Sequence, residues 1–182
     1  NMYYAQYDKR PEVYVIPGII KNSLETDVAT LRQRTILPLK KSLIQELTIK
    51  TKEANYKMEK TDNNWRLLEP SKELLNSKKV EEYLDNLLRL YADDFIDNYQ
   101  DLSVYGLEQP EHLLEINFGK GRNVTVKGGK TKDGSFVHTN LRRAVFKITD
   151  VKALDVLNFD LNNYKEEKKV EKKDGKETKK KK

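Results

Sequence analysis

The residues with the greatest capacity for chemistry are four closely spaced aspartates, Asp93, Asp94, Asp97 and Asp101, and two histidines, His112 and His138. Neighbouring carboxylates can divide acid and base work when burial drives their pKa values apart. These four stand in a polar stretch, which reads as a solvated face. A hard cation is another use for such oxygens, but the regular ligand spacing and central glycine of a calcium loop are missing. The histidines are 26 positions apart, and a zinc site needs further ligands that nothing here gathers. A histidine base would need a nucleophile, and no Gly-x-Ser-x-Gly turn occurs. Each histidine therefore reads as an ordinary strand residue, and no catalytic residue, cofactor or metal ligand is assigned.

Gly129-Lys130-Thr131 imitates the end of a phosphate-binding loop. That motif needs a glycine five positions before Gly129, where this chain has Val124, and it must open a helix rather than join two strands. The segment reads as a hairpin turn. Asn123-Val124-Thr125 fits a glycosylation acceptor, but three-residue matches arise by chance. Trp65, the sole tryptophan, has two readings: an exposed platform for a sugar or peptide, or a core residue closing a hairpin onto a helix. Tyr105 and Leu107 read as plugs at a loop corner, with Gly106 allowing the turn between them. Trp65, Tyr105 and Leu107 are the candidates for an interaction site.

Elements must position these residues. Tyr3–Gln6 and Val13–Ile16 predict a hairpin around Asp8-Lys9-Arg10-Pro11, followed by a short helix at Ile19, Ile20 and Leu24, with Val28 and Leu31 able to extend it. Strands are expected at Leu43–Lys50, Tyr56–Lys60 and Trp65–Leu68, the last two joined by Thr61-Asp62-Asn63-Asn64, which tolerates positive φ. The spacing of Val80, Tyr83, Leu84, Leu87, Leu88 and Tyr91 predicts a helix over Lys78–Asp93 with Ser77 or Asn76 as its cap. Beyond it come a short edge strand at Phe95 and Ile96, then strands at Leu113–Asn117, Asn123–Lys127, Ser135–Thr139 and Ala144–Ile148. Two glycine-bearing connectors separate them, 119–122 and 128–134. Val151, Leu154 and Leu157 suggest a closing helix.

The chain has 182 residues and a formal net charge of +6. Residues 165–182 carry ten lysines against five acids, leaving 25 basic and 24 acidic residues in 1–164, so the basicity belongs to the tail. That tail has one apolar residue, Val170, and is expected to be disordered. A near-neutral body without a basic stripe argues against specific nucleic-acid recognition. There is no cysteine, which excludes disulfides, thiolate metal sites and cysteine nucleophiles. No apolar window approaches the length of a membrane span. The opening Asn1-Met2-Tyr3-Tyr4 falls within a strand and suggests a fragment of a longer protein.

Tyr3-Tyr4-Ala5-Gln6 followed by Val13-Tyr14-Val15-Ile16 echoes Phe136-Val137-His138-Thr139 followed by Val145-Phe146-Lys147-Ile148, with one residue of slippage. Either two β-hairpins are alike by chance, or residues 1–24 are the closing hairpin and helix of an earlier copy and 36–157 a complete later copy. The division adopted is 1–30 as that repeat end, 31–164 as the main module and 165–182 as the tail.

Several motifs in order resemble a bacterial family, domain of unknown function 4340. They are Leu31-Arg32-Gln33-Arg34-Thr35-Ile36-Leu37-Pro38, Asn64-Trp65-Arg66-Leu67-Leu68-Glu69-Pro70, Tyr105-Gly106-Leu107-Glu108-Gln109-Pro110, Val126-Lys127-Gly128-Gly129-Lys130-Thr131 and Val145-Phe146-Lys147-Ile148. The resemblance covers roughly residues 31 to 157. One departure is Phe136-Val137-His138, where a tyrosine-led strand is more usual. The resemblance implies a membrane-anchored parent with repeated modules outside the cytoplasm, associated with gliding-motility-type ABC exporters. It supplies no catalytic residues.

The expected fold is α+β: a mostly antiparallel twisted sheet with one long amphipathic helix packed on a face and short connecting helices. The expected function is that of a non-enzymatic extracytoplasmic accessory or scaffolding module acting by protein–protein contact beside an ABC-type exporter. Its partners would be transporter subunits, and it would meet the membrane only through a segment outside this chain. The alternative is binding of an anionic polymer (nucleic acid, lipid headgroups or wall polymer) through the lysine tail. A hydrolase using the Asp93–Asp101 cluster is the third reading.

Overall fold

The computed structural model describes residues 1–25, 31–119 and 121–166. Val28, and the lysine-rich tail from residue 167 onward, lie outside the described residues.

The N-terminal piece is a two-stranded antiparallel sheet, β1 (Met2–Gln6) and β2 (Val13–Pro17), followed by the seven-residue helix α1 (Gly18–Leu24). The remaining strands form one nine-stranded antiparallel sheet. They are β3 (Glu46–Thr51), β4 (Asn55–Thr61), β5 (Asn64–Glu69), β6 (Glu73–Leu74), β7 (Asp94–Ile96), β8 (His112–Asn117), β9 (Asn123–Thr131), β10 (Gly134–Thr139) and β11 (Val145–Ile148). Their spatial order is β6-β5-β4-β3-β8-β9-β10-β11-β7. Two meanders thus meet where β3 pairs with β8, Leu47 opposite Ile116 and Ile49 opposite Leu114. The second helix, α2 (Ser77–Leu88), carries the chain from one edge strand, β6, to the other, β7.

Local chemistry accounts for most elements. In β3, Leu47 and Ile49 are buried and alternate with half-buried polar residues, the period-two pattern of a strand with one face on the core. Asp62 and Asn63 both take positive φ, 49° and 67°, and close the β4–β5 hairpin between Thr61 and Asn64, as a two-residue turn requires. Asn76 caps α2 by accepting from the Lys79 N–H at 3.2 Å. Val80, Tyr83, Leu84 and Leu87 are the buried stripe of α2. They join the main core with Leu47, Met58, Trp65, Ile116 and Phe146.

The α+β expectation is corrected. Among the described residues, strands make up 40% and helical segments 22%, and there is no single long helix packed on a face of the sheet. The apolar spacing predicted a helix as far as Asp93, but α2 ends at Leu88 after twelve residues. Tertiary pairing overrides the helical pattern there. Leu90 accepts from the Ile36 N–H at 3.0 Å, Ala92 donates to Arg34 at 2.8 Å, and Tyr91 bridges Thr35. The segment must then run extended into β7. Described 3-10 turns lie at Lys41–Leu43, Ser103–Tyr105, Val151–Leu157 and Leu161–Tyr164.

A second correction concerns the glycines. Gly128 and Gly129 belong to β9, paired with Val137 and Phe136, and the turn lies beyond them between Thr131 and Gly134. A Cβ on Gly129 would come 2.4 Å from the Gly106 carbonyl oxygen, and one on Gly128 would come 2.4 Å from Leu157 Cδ1. These glycines let the Tyr105-Gly106 turn and the Val151–Leu157 segment lie against the strand. No described helix is long and apolar enough to cross a membrane.

Candidate functional site

The three proposed interaction residues sit largely inside the body. Trp65 and Leu107 are fully buried. The Trp65 backbone N–H donates to Ser77 Oγ at 2.9 Å, and its indole N–H donates to Glu81 Oε1 at 2.8 Å. Glu81 also pairs with Lys60 at 2.7 Å and Lys41 at 3.3 Å, while Lys41 reaches Asp85 at 2.8 Å. Burial pushes the Glu81 carboxyl up, but hydrogen bonds from Lys60 and Trp65 pull harder and hold it below the usual carboxylate range. This network ties α2 to β4, β5 and the Lys41–Leu43 turn. Leu107 packs with Phe136 and Val145 in a smaller core, and the half-buried Tyr105 ring lies 5.1 Å from that of Phe136.

The aspartates are not brought together around a shared point; each serves its own segment. Asp93 accepts from the Thr149 N–H at 2.6 Å, Asp94 from the Phe95 N–H at 2.8 Å, and Asp101 from the Ser103 N–H at 2.8 Å. Asp97 takes a bidentate pair from Arg32 at 2.6 and 2.8 Å, and that hydrogen bonding lowers its pKa. The Arg32 guanidinium also lies 4.1 Å from the centre of the Phe95 ring. The arginines of the entry motif are therefore fasteners for residues 31–37: Arg34 donates to the Asp93 carbonyl, and Arg142 grips Gln33 from the β10–β11 connection. Among the described residues, no group of three His, Cys, Asp or Glu side chains could hold a metal ion.

The two histidines are also apart. His138 shares a hydrogen bond with the Tyr99 hydroxyl at 3.1 Å, and burial, helped by Lys127, lowers its pKa. His112 borders an open groove of about 450 Å³ with Lys52, Glu111, Lys130 and Asp160. Its pKa is lowered by burial, against the pull of Glu111, and its buried Nδ1 has no hydrogen-bond partner. The groove carries both charge signs, with Lys52 and Glu111 paired at 3.2 Å. Thr51, the cross-strand partner of His112, and Tyr56 also line it.

The most distinctive surface is one that sequence reasoning passed over. Tyr4, Tyr7, Val13, Tyr14, Ile19 and Leu24 are exposed on β1–β2–α1 and the connection between its strands. Tyr4 is 83% exposed. Only Tyr3, Ala5, Ile16, Gly18 and Lys21 of this piece are partly covered. Contacts within the piece are local: Gly18 N–H donates to Asn1 at 3.0 Å, and Lys21 lies over the Tyr3 ring. A signal existed in Val13-Tyr14-Val15-Ile16. Four consecutive apolar residues put apolar groups on both faces of a strand, the pattern of a strand covered on both sides.

A family model described as a domain of unknown function (DUF4340) matches residues 1–110. The match takes in the N-terminal hairpin, the entry motif, the first meander, α2 and β7, and stops before β8. The motifs at Val126–Thr131 and Val145–Ile148 lie beyond it. No curated protein matches the chain. No solved structure matches it.

Proposed function

The chain belongs to the DUF4340 family, domains of unknown function, and from that membership we propose that it is a non-enzymatic module working by protein–protein contact. Its place would be on the extracytoplasmic face of a bacterial membrane, as an accessory to an ABC-type exporter of the gliding-motility kind. The observation that carries the contact reading is the apolar surface of β1, β2 and α1. A hairpin with Tyr4 and Val13 on one face and Tyr14 on the other gains from being covered, at roughly 25 cal/mol per Å² of apolar area removed from water. The address beside an exporter rests on the motif resemblance.

This chain contains no cysteine, so a single thiol introduced into it reports its own position there. A Tyr4→Cys variant of the parent protein, crosslinked in its own membranes, should capture exporter subunits. A Lys72→Cys variant on the exposed β5–β6 loop should not. Equal capture from both positions would sink the reading. So would recovery of only anionic polymer, lost when residues 165–182 are removed, which would favour the lysine tail as the working part.

A further inference from the structure

The two hairpins share one register. Tyr3 faces Ile16 and Gln6 faces Val13 in the first; Ser135 faces Ile148 and His138 faces Val145 in the second. Adding 132 to the residue numbers of four of the five pairs of the first hairpin, all but Met2 opposite Pro17, gives the four pairs of the second, and the one-residue slippage of the plain sequence alignment disappears. Each hairpin is followed by seven helical residues, an α-helix at Gly18–Leu24 and a 3-10 segment at Val151–Leu157, the second one position beyond the 132 offset. Five of the eight paired positions agree in chemistry, Tyr4 with Phe136, Ala5 with Val137, Val13 with Val145, Tyr14 with Phe146 and Ile16 with Ile148, while Tyr3, Gln6 and Val15 meet Ser135, His138 and Lys147. In the connections, Arg10 matches Arg142.

Burial does not agree. Phe136 is 3% exposed and Phe146 0%, against 83% for Tyr4 and 52% for Tyr14. In the body, β9 runs along β10 and β7 runs along β11. The Tyr105–Leu107 turn covers Phe136 and Val145, and Phe95 meets Phe146 with ring centres 5.9 Å apart. The position matching Arg10 holds the entry segment through Gln33.

We propose that β1–β2–α1 is the closing hairpin and helix of another module of this same architecture, and that the module stands in tandem with this one at a period of 132 residues. The inference rests on the contact reading of this surface and names its partner. That partner is a sheet giving a β9-like strand beside β1, a β7-like strand beside β2 and a Tyr-Gly-Leu-like turn over Tyr4. A second copy of this chain does not fit the role, because β10 and β11 already fill the place between β9 and β7. The acceptor is a sheet whose β9 equivalent leads directly into β1.

The test adds a copy of residues 31–134 in front of Tyr3 of the chain, a seamless join at the 132-residue offset. Amide exchange at Tyr4, Ala5, Tyr14 and Val15 should slow by about a hundredfold or more relative to the 182-residue chain, as for strands brought inside a cooperative unit. A companion chain carries residues 31–148 in front of Pro17, so that β10–β11 itself closes the added module. If the companion's added module folds and the first chain's does not, the inference is overturned. It is equally overturned if neither added module folds, since a 132-residue period requires one module to follow another. A dimer of the 182-residue chain that dissociates on Tyr4→Glu substitution would also overturn it. Should the added module leave the hairpin unprotected while Tyr4→Cys still captures exporter subunits, the tandem inference fails alone and the contact reading stands.

Discussion

Hairpins β1–β2 and β10–β11 have the same pairing register, yet the second lies in the interior of a nine-stranded sheet and the first stands with its aromatic residues in water. The difference separates two things that a strand sequence encodes. Register and turn length are set locally, by apolar alternation and by the residues of the connection. Burial is set by neighbours in space: β9, β7 and the Tyr105–Leu107 turn for one hairpin and, among the described residues, α1 for the other. Val145-Phe146 and Val13-Tyr14 carry the same instruction to be covered, and only one pair is covered in this chain.

The largest effect that would sharpen this contrast comes from truncating matched aromatics. Phe146→Ala removes a fully buried ring from the main core and should cost about 3–5 kcal/mol in chemical denaturation. Tyr14→Ala, at the matched position, should change the stability of the body by no more than about 0.5 kcal/mol. Comparable losses from the two would mean that β1–β2 is integral to the body, and the comparison would break.

The second effect tests the turn that the free hairpin lacks. Gly129→Ala would place a methyl group 2.4 Å from the Gly106 carbonyl oxygen, backbone against backbone. Either β9 or the turn must retreat, and overpacking of this kind costs about 1–3 kcal/mol. Tyr105 and Leu107 would then lift from Phe136, raising amide exchange along β10 while β1 is unaffected. Unchanged exchange in β10 would show that the turn is not what covers this hairpin.

A pH dependence distinguishes the hairpins next, because His138 in β10 matches Gln6 in β1. Burial and Lys127 hold His138 below its ordinary value of 6.5. The folded state therefore binds fewer protons than the unfolded state in the window below 6.5. The stability associated with the neutral ring is fully present above that value and is lost as pH falls through the lowered folded pKa. His112 adds a loss of the same sign. Melting temperature should fall between pH 7.5 and 5.5, and His138→Gln should flatten part of that slope. A slope unchanged by the substitution would remove His138 from the account. At lower pH, protonation of Glu81, whose pKa is also lowered, should weaken the clamp between α2, Lys60 and Trp65.

Much of the fold was legible in the sequence because it is antiparallel and locally connected. The Asp62-Asn63 turn, the Asn76 cap and the alternation of Leu47 and Ile49 each announce their element within a few residues. What was not legible depends on distant partners. The helical stripe runs on to Tyr91, and only the pairing of Thr35 and Ile36 with residues 90–91 explains why the helix stops at Leu88. Gly128-Gly129 looks like a turn until Leu157 and Gly106 are seen lying where a Cβ would go. Trp65 was open to both a core and a surface reading, and its contact with Glu81, sixteen residues away, settles its position. The candidate surface was hidden by the same logic, since the pattern of Val13–Ile16 records a need for cover and not whether cover is present.

The smallest predicted effect turns on what a hydroxyl does in each setting. Tyr83 is buried among Phe159 and Tyr164, with ring centres 5.4 and 5.9 Å away, and its hydroxyl has no hydrogen-bond partner. Burial pushes its pKa up, with Tyr164 adding to the effect. A buried hydroxyl without a partner loses its hydration and gains nothing in return, so Tyr83→Phe should stabilise the body by about 1 kcal/mol. Tyr4→Phe, on the exposed hairpin, should be neutral in this chain because its hydroxyl stays hydrated. In a tandem with a module in front, Tyr4→Phe gains meaning: β10 has Phe136 at the matched position, under Tyr105 and Leu107. A covered Tyr4 hydroxyl must find a partner or weaken the fit. Substitution to phenylalanine would then leave exchange protection of β1 unchanged or raise it. Lower protection would mean that the hydroxyl meets a polar group of the covering sheet, an environment unlike that of Phe136, and would mark the limit of the likeness between the two hairpins.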